Sequence, residues 1–217
     1  MRIKHVPICV LVGLSMLSTQ AQAESLVDGD PDAGKAKAIT CTACHGAEGN
    51  SAVATWPNIA GQHATYTLEQ LKAFKGEPGN PDYKATRYDP VMSTQAMLLS
   101  EEDMADLAVY FEGLPGAAQA VADPDLLDRG EALYRGGDLE KDIAACIACH
   151  GPSGRGNPAA AYPSLAGQHA TYTAKQLRDY ASGARSTDGK TQQMRDIAVR
   201  LDDKDIAALA SYVQGLR

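Results

Sequence analysis

Apolar residues recur at three- and four-residue spacing along much of the chain, which is the pattern of amphipathic helices. Ser100 and Asp103 predict a capping-box start for a helix near the end of the first half of the chain. HATYTLEQLKAF and HATYTAKQLRDY are predicted to form a middle helix in each half, and DAGKAKAI and DRGEALYRG a shorter helix near each start. No stretch alternates convincingly between apolar and polar positions, so the sequence predicts an all-α fold. The apolar positions of the last helix in each half are Met104, Leu107, Ala108, Phe111 and Leu114, and then Ile206, Leu209, Ala210, Val213 and Leu216.

The second half of the chain repeats the first. WPNIAGQHATYTLEQL (56–71) aligns with YPSLAGQHATYTAKQL (162–177), and residues 92–114 align without a gap with residues 194–216. Duplication of one domain is the simplest account of both matches. The intervening stretch is rich in Pro, Ala and Gly, which is typical of a linker. We therefore predict helical domains at 24–114 and 126–217, joined by a linker at 115–125.

The N-terminal segment has the pattern of a cleaved export signal. A basic start is followed by an apolar run at 6–17 and by a small-x-small sequence that ends at Ala23. A membrane anchor is the alternative, but the run is shorter than the ~20 residues that a spanning helix needs. We expect residues 1–23, including Cys9, to be removed and the mature protein to lie in the periplasm.

Charge and aromatic content limit the classes of partner and cofactor that fit this chain. Without the signal segment the chain carries 18 basic and 27 acidic residues. Residues 24–120 hold 14 acids and six bases, whereas residues 121–217 hold 13 acids and 12 bases. This negative charge argues against a nucleic-acid partner, and its uneven distribution can orient a docking protein. With only two Phe and one Trp, a core made of side chains alone would be poor in aromatic bulk.

Cys-x-x-Cys-His occurs twice, as CTACH at 41–45 and as CIACH at 146–150. Zinc sites, redox dithiols and covalent haem attachment all use Cys-x-x-Cys, and a His directly after the second Cys is typical of haem attachment. Zinc needs about four ligands near each other, and this spacing has no H-x-x-x-H pair. A thioredoxin-like dithiol needs a βαβ context, which the pattern lacks. The motifs therefore predict two covalently bound haem c groups, attached at Cys41, Cys44, Cys146 and Cys149 and ligated at iron by His45 and His150.

The second axial ligand of each iron is expected to be a Met. Met92 and Met194 occupy the same aligned position, whereas Met97 and Met104 are replaced by Val and Ile in the second copy. Met97 and Met104 are therefore expected to be core residues. A Met that is kept in both copies fits a thioether ligand, with an apolar packing role as the alternative.

His63 and His169 are the competing candidates, because they are identical in both copies and each begins a predicted helix. They could ligate iron, bond a haem propionate or cap the helix. Because the loops are long enough to bring a Met across each haem, we expect His/Met ligation in both domains. Bis-His ligation remains the alternative.

Each half resembles a class I cytochrome c, with CxxCH near its start, a Pro-Asn/Ser-Ile/Leu-x-Gly segment, a middle helix, a Met and a C-terminal helix bearing a Tyr. The tandem arrangement, with GQHATY in both halves, resembles the dihaem cytochrome c4 family. The resemblance implies that the first and last helices of each domain cross, and that the domains face each other about a pseudo-twofold axis. It also implies that the carbonyls of Pro57 and Pro163 accept the N–H of the proximal imidazoles and fix their orientation.

The two copies differ in the loops that flank the predicted haems. RGGDLEKDI is an insertion before the second motif and is expected to form a surface loop. The first copy is instead longer before its Met, with EPGNPDYKATRYDP. These loops are candidates for setting haem exposure or partner choice.

The resemblance implies an electron carrier rather than an enzyme, because an iron with both axial positions filled leaves no site for a substrate. Expected partners are redox proteins, such as a quinol–cytochrome c reductase as donor and a terminal oxidase or reductase as acceptor. Any membrane association would occur through those partners. The alternatives are a dihaem peroxidase, which needs a releasable haem face, and the cytochrome subunit of a larger dehydrogenase such as a flavocytochrome.

Overall fold

The computed structural model describes residues 25–76 and 87–217, which form two helical bundles of the same construction. Within these ranges there is no β-strand, and three isolated bridges are the only sheet-like pairings. None of the helices in the described ranges combines the length and the apolar character needed to cross a membrane. The predicted signal segment, including Cys9, and most of EPGNPDYKATRYDP lie outside the described residues.

Equivalent helices follow one another in the same order in the two bundles. The helices of the first bundle are α1 (Pro31–Lys37), α2 (Thr42–His45), α3 (Ala64–Lys75), α4 (Pro90–Met97) and α5 (Glu101–Glu112). Those of the second are α6 (Leu127–Gly136), α7 (Ile147–His150), α8 (Ala170–Ser182), α9 (Gln193–Ala198) and α10 (Asp203–Gly215).

Capping boxes fix the starts of the two C-terminal helices. At α5, the Asp103 N–H donates to Ser100 Oγ at 3.0 Å and the Ser100 N–H donates to the Asp103 carboxylate at 2.8 Å. At α10, Asp202 and Asp205 make the same reciprocal pair. Each box satisfies backbone donors that the first turn leaves free, which confirms the start predicted at Ser100.

The first and last helices of each bundle cross at a glycine. A Cβ at Gly34 of α1 would come within 2.1 Å of the Asp106 carbonyl oxygen on α5. A Cβ at Gly130 of α6 would come within 2.4 Å of the Ala208 oxygen on α10. Because any side chain would push these backbones apart, glycine allows the crossing that the family resemblance implies.

Among the described residues, the buried apolar core is larger in the second bundle. Met104 is 1% exposed, as expected for a core residue, but Met97 is 61% exposed and the core prediction for Met97 is wrong. The reason is register, since Ala96 faces the interior at 0% exposure and the next residue, at the end of α4, faces solvent. The second core consists of Leu133, Tyr134, Ile143, Leu201, Ile206, Leu209, Tyr212, Val213 and Leu216, and the first of Ala38, Leu107 and Phe111.

The insertion in the second domain forms a surface loop, as predicted. Asp138 and Ile143 pair through two backbone hydrogen bonds of 2.9 and 2.8 Å, which close a tight turn. Leu139 at the tip is 96% exposed, whereas Ile143 at the base is 3% exposed and joins the core.

The two bundles exchange reciprocal hydrogen bonds. Gln62 donates to the Ser164 carbonyl at 2.8 Å and accepts from the Ser164 N–H at 2.9 Å. Gln168, its equivalent, donates to the Asn58 carbonyl at 2.8 Å and accepts from the Asn58 N–H at 3.0 Å. Equivalent residues that meet equivalent partners are the signature of a twofold interface, as the family resemblance implies.

Candidate functional site

Each Cys-x-x-Cys-His motif forms one short helical turn that ends at its histidine. In the first domain the motif spans Cys41 and α2, and in the second it spans Cys146 and α7. Gly46 and Gly151 follow at φ +81° and +74°, a conformation that glycine adopts without steric cost and that ends each turn. The four predicted attachment cysteines are half-buried, and no disulfide joins them.

The thiols differ from those of redox dithiols. Burial raises the pKa of the Cys41 thiol, and it raises the pKa of the Cys146 thiol to about 11. A catalytic dithiol instead depends on a thiol pKa that is lowered by its surroundings. Across residues 25–76 and 87–217, no group of three or more His, Cys, Asp or Glu side chains is placed to hold a metal ion. Neither Cys41 nor Cys146 therefore has the lowered thiol pKa of an activated dithiol.

The two predicted proximal histidines are buried and oriented by backbone carbonyls. His45 and His150 are 6% and 7% exposed. Their Nδ1 atoms lie 2.9 Å from the Pro57 oxygen and 3.1 Å from the Pro163 oxygen. Burial lowers the pKa of both imidazoles and outweighs the opposing effect of the carbonyls. A neutral imidazole that donates from Nδ1 keeps its Nε2 lone pair available, as an iron ligand requires.

Met92 and Met194 occupy equivalent, half-buried positions. The structure places both in the first turn of a short helix, α4 or α9. The Asp89 carboxylate caps α4 by accepting from the Met92 N–H at 3.0 Å, and Pro90 occupies the first turn. This cap fixes the backbone from which the Met92 side chain extends.

His63 and His169 lie at the domain interface, at the first residue before α3 and α8. His63 Nε2 lies 2.6 Å from the Arg155 carbonyl oxygen of the second domain, and His169 Nε2 lies 2.9 Å from the Ser51 oxygen of the first. Their Nε2 atoms therefore act as N–H donors to carbonyls in the opposite domain.

Helix capping by these histidine side chains is not observed. The first N–H of α3 donates to Glu112 Oε1 at 2.9 Å, and the first N–H of α8 donates to Gln214 Oε1 at 2.9 Å. The capping alternative for His63 and His169 is therefore wrong, because side chains of the last helix in each domain already satisfy these donors.

The sequence reasoning missed residues of the domain interface, among them two glutamines and two arginines. Gln62 and Gln168 lie inside the identical GQHATYT segments, so their identity was a usable signal. Arg87 and Arg185 meet across the interface but lie outside the gap-free part of the repeat, at different distances from the methionines. No signal in a single sequence distinguishes them from surface arginines.

Comparison with known proteins agrees with this architecture. The family model described as Cytochrome c matches residues 32–115 and again residues 127–217. Cytochrome c4 of Azotobacter vinelandii is 48% identical over 192 residues, which cover 87% of this chain and 90% of that protein. A thiosulfate dehydrogenase electron acceptor of Stutzerimonas stutzeri is 34% identical over 220 residues, which cover 96% of this chain and 93% of that protein.

A solved structure shows the same fold. Reduced recombinant cytochrome c4 from Pseudomonas stutzeri superimposes with a TM-score of 0.83 at 45% identity, covering 88% of this chain and 100% of that one. The matching fold, the two family-model matches and the two Cys-x-x-Cys-His turns together imply two covalently bound haem c groups. This chain therefore belongs to the cytochrome c4 family of dihaem electron carriers.

Proposed function

We propose that this protein is a periplasmic carrier that passes electrons between respiratory redox proteins and performs no substrate chemistry at iron. The observation that carries this proposal is the pair of buried, carbonyl-bound imidazoles at His45 and His150, each in a CxxCH turn with an equivalent Met in its domain. The mature chain would consist of domains at 24–114 and 126–217 with a linker at 115–125.

Each domain's side chains have distinct roles toward the haem, which when bound supplies a one-electron couple at its iron. Cys41 and Cys44 would hold the group covalently in the first domain, as Cys146 and Cys149 would in the second. The imidazoles of His45 and His150 would bind iron, and the carbonyls of Pro57 and Pro163 hold these imidazoles in one orientation.

Met92 and Met194 would bind iron on the opposite side. The contacts of His63 and His169 support methionine over bis-His ligation, because their Nε2 atoms already donate to carbonyls. If Met92 and Met194 bind the irons, no ligand position would remain for peroxide, which disfavours a peroxidase. A near-infrared spectrum of the oxidised protein tests this, since the sulfur-to-iron charge-transfer band should show two Met-ligated haems. A single Met-ligated haem, or peroxide turnover by the purified protein, would contradict the proposal.

The first domain offers an apolar docking patch, of which the second domain keeps only the position of Met97, as the exposed Val199. Tyr88, Val91, Met97 and Leu98 are between 56% and 77% exposed around the helix that bears Met92. In the repeat, the positions of Val91 and Leu98 are taken by Gln and Arg. Because the patch lies in the strongly acidic domain, we infer that it receives a basic partner with an apolar centre.

The salt dependence of reduction at each haem tests this assignment. Raising ionic strength should slow reduction of the first haem by a basic redox protein, such as a mitochondrial-type cytochrome c, more than it slows reduction of the second. Equal, salt-insensitive rates at both haems would remove the proposal of two different docking faces.

The physiological partners are proposed by chemistry and similarity. A quinol–cytochrome c reductase is a suitable donor and a terminal oxidase or reductase a suitable acceptor. The similarity to a thiosulfate dehydrogenase electron acceptor supports a second candidate, in which a dehydrogenase reduces this protein directly. Mixing with thiosulfate and a thiosulfate dehydrogenase should then reduce both haems, and no reduction would favour the quinol route. Size-exclusion chromatography of the native complex would show whether the chain is a permanent dehydrogenase subunit.

Periplasmic location rests on the N-terminal segment. Export would remove residues 1–23, so N-terminal sequencing of protein from a periplasmic fraction should begin at Glu24. A chain that retains the segment and sediments with membranes would support the anchor alternative.

A further inference from the structure

The peptide unit between Pro57 and Asn58 joins the predicted proximal imidazole of the first domain to the second domain. Its carbonyl oxygen, on Pro57, lies 2.9 Å from His45 Nδ1. Its N–H, on Asn58, donates to Gln168 Oε1 at 3.0 Å. The imidazole, the peptide unit and the Gln168 side chain therefore form one continuous chain of hydrogen bonds across the interface.

The second domain contains the reciprocal chain of hydrogen bonds. His150 Nδ1 lies 3.1 Å from the Pro163 oxygen. The N–H of the same peptide unit, on Ser164, donates to Gln62 Oε1 at 2.9 Å. Each predicted proximal ligand is thus connected, through one peptide unit, to a glutamine of the opposite domain.

Both glutamine amides have a defined orientation. Gln168 Oε1 also accepts from the His169 N–H at 3.0 Å, and Gln168 Nε2 donates to the Asn58 oxygen at 2.8 Å. Gln62 makes the equivalent two bonds at 3.0 and 2.8 Å. Because both backbone groups that approach each Oε1 are N–H donors, each glutamine presents a fixed acceptor to the peptide unit.

A peptide unit transmits polarisation from its N–H to its carbonyl. Hydrogen bonds in a chain strengthen one another, so the bond from the N–H to the glutamine makes the proline carbonyl a stronger acceptor. A stronger acceptor at Nδ1 increases the basicity of the imidazole toward iron. A more basic ligand stabilises the ferric state and lowers the reduction potential. Each glutamine should therefore lower the potential of the haem in the opposite domain.

We propose that Gln168 and Gln62 are positioning residues for the proximal imidazoles of the opposite domains, at His45 and His150. Each domain thereby lowers the reduction potential of the other domain's haem through the backbone contact between them. The inference rests on the haem attachment and histidine ligation proposed above.

Gln168→Leu is the most informative variant, because other bonds hold Asn58 in place. The Asn58 side chain accepts from the Ser51 N–H at 2.8 Å and donates to the Gly167 oxygen at 2.9 Å, and the residue is 8% exposed. Replacing Gln168 therefore removes the hydrogen bond to the peptide unit while the peptide unit keeps its other contacts.

Redox titration followed by NMR, which separates the signals of the two haems, tests the proposal. Gln168→Leu should raise the potential of the first haem more than that of the second, although Gln168 belongs to the second domain. Gln62→Leu should have the reverse preference. Opening of the interface would instead hydrate the haems and lower their potentials, because water stabilises the ferric charge. Equal shifts at both haems, or a fall at the first haem of Gln168→Leu, would overturn the proposal.

Gln119 is the matched control. Its Nε2 donates to the Gly167 oxygen at 2.8 Å, beside Gln168, and this bond does not involve the peptide unit that binds His45. Gln119→Leu should leave the difference between the two potentials at its wild-type value. Gln168→Glu retains an acceptor oxygen and adds negative charge to it, so the potential of the first haem should fall relative to Gln119→Glu. A rise in Gln168→Glu, or shifts in Gln119→Leu that match those of Gln168→Leu, would contradict the assignment.

An infrared experiment on the wild-type protein needs no variant that must fold. Redox-difference spectra should contain backbone bands that shift when proline carries an isotope label at its carbonyl carbon. They should also contain side-chain amide bands that shift when glutamine is labelled at Cδ. If the glutamine label moves no band, the polarisation ends at the peptide unit and the proposal is wrong.

Haem content and the sulfur-to-iron band of the same samples test the proposed function separately. A wild-type protein without haem, or without sulfur coordination, would contradict the electron carrier itself. A wild-type protein that has both, with no response to the glutamine label, would contradict only the role of Gln62 and Gln168.

Discussion

At the residue scale, the two copies retain Met92 and Met194 while the residues around them change. Met97, five residues after Met92, is exposed and is replaced by Val in the second copy. Apart from this Met, only the buried Ala96 is kept in the helix, as Ala198, and retention of the Met is consistent with a chemical requirement for its sulfur. Alignment of the two copies therefore identified Met92 and Met194 as candidate ligands, although the short helices that carry them were not predicted.

Each ligand assignment is tested by replacing one methionine with alanine. We predict that Met92→Ala and Met194→Ala each remove half of the near-infrared sulfur-to-iron band of the oxidised protein. Met97→Ala removes a methionine from the same helix at an exposed position and should leave the band unchanged. If Met92→Ala and Met97→Ala give identical spectra, the assignment of Met92 is wrong.

Asp205 links stability to pH in the second domain. Its side chain is 3% exposed and lies 2.6 Å from Lys141 Nζ and 2.7 Å from Arg129 Nη2. Burial acts to raise its pKa, but hydrogen bonds from Lys141 and Arg129 bring the pKa below its ordinary value. A folded-state pKa below the unfolded one means that the stabilisation is present above pH ~4 and is lost as the pH falls through the folded-state value.

Asp205→Asn should therefore lower the free energy of unfolding by about 1–3 kcal/mol at neutral pH, because two charged donors lose their anion. The difference from wild type should shrink below pH ~4, where the wild-type carboxylate itself becomes protonated. Urea unfolding across this range measures the effect. Asp203→Asn, at a side chain 85% exposed, is the control. A difference that does not change with pH would rule out the ion-pair explanation.

At the element scale, the first, middle and last helices of each domain could be predicted, and α4 and α9 could not. Apolar spacing and the Ser100 cap located α5 in advance, because these signals are local. The helix α4 has a readable start at Asp89 and Pro90, but α9 begins after Gln192, whose φ of +53° no sequence pattern indicates. Short helices of this kind depend on packing against α3 and α8, which a local pattern does not contain.

The helix crossing at Gly130 gives a stability prediction with an internal control. Gly130→Ala should destabilise the second domain by about 1–3 kcal/mol, because the new Cβ would overlap the Ala208 carbonyl of α10. Gly136→Ala lies on the same helix with no atom within 4 Å of its Cβ, and should be neutral or stabilising by up to about 1 kcal/mol. Thermal unfolding of the two variants gives the comparison, and equal effects would show that the close approach is unimportant.

At the scale of the whole molecule, the interface explains why GQHATYT is identical in the two copies. Gln62 and Gln168 bond the backbone of the residue that follows Pro163 or Pro57 in the opposite domain, and His63 and His169 reach the loop that follows the opposite CxxCH motif. A twofold interface requires the same side chains on both sides, so the same contacts constrain the sequence of this segment in both copies. The identity of the two copies indicated that this segment is important. A local sequence pattern could not predict contacts between residues about a hundred positions apart, including those of Arg87 and Arg185.

These reciprocal bonds should make the two domains unfold together. Each glutamine makes two hydrogen bonds to backbone groups of the other domain, and each bond contributes about 0.5–1.5 kcal/mol. The double variant Gln62→Ala with Gln168→Ala removes all four, for a total of about 2–6 kcal/mol of coupling. We expect calorimetry to resolve one transition in the wild-type holoprotein and two in the double variant.

The larger core of the second domain predicts which transition comes first. Of the residues that the structure describes, the first domain contributes the smaller set of buried apolar side chains, so its transition should fall to the lower temperature when the coupling is removed. Gln95→Ala, at an exposed glutamine on α4, should retain a single transition. If the double variant also unfolds in one step at the wild-type temperature, other contacts couple the domains. Arg87 and Arg185, which donate to side chains of the opposite domain, are then the next residues to replace.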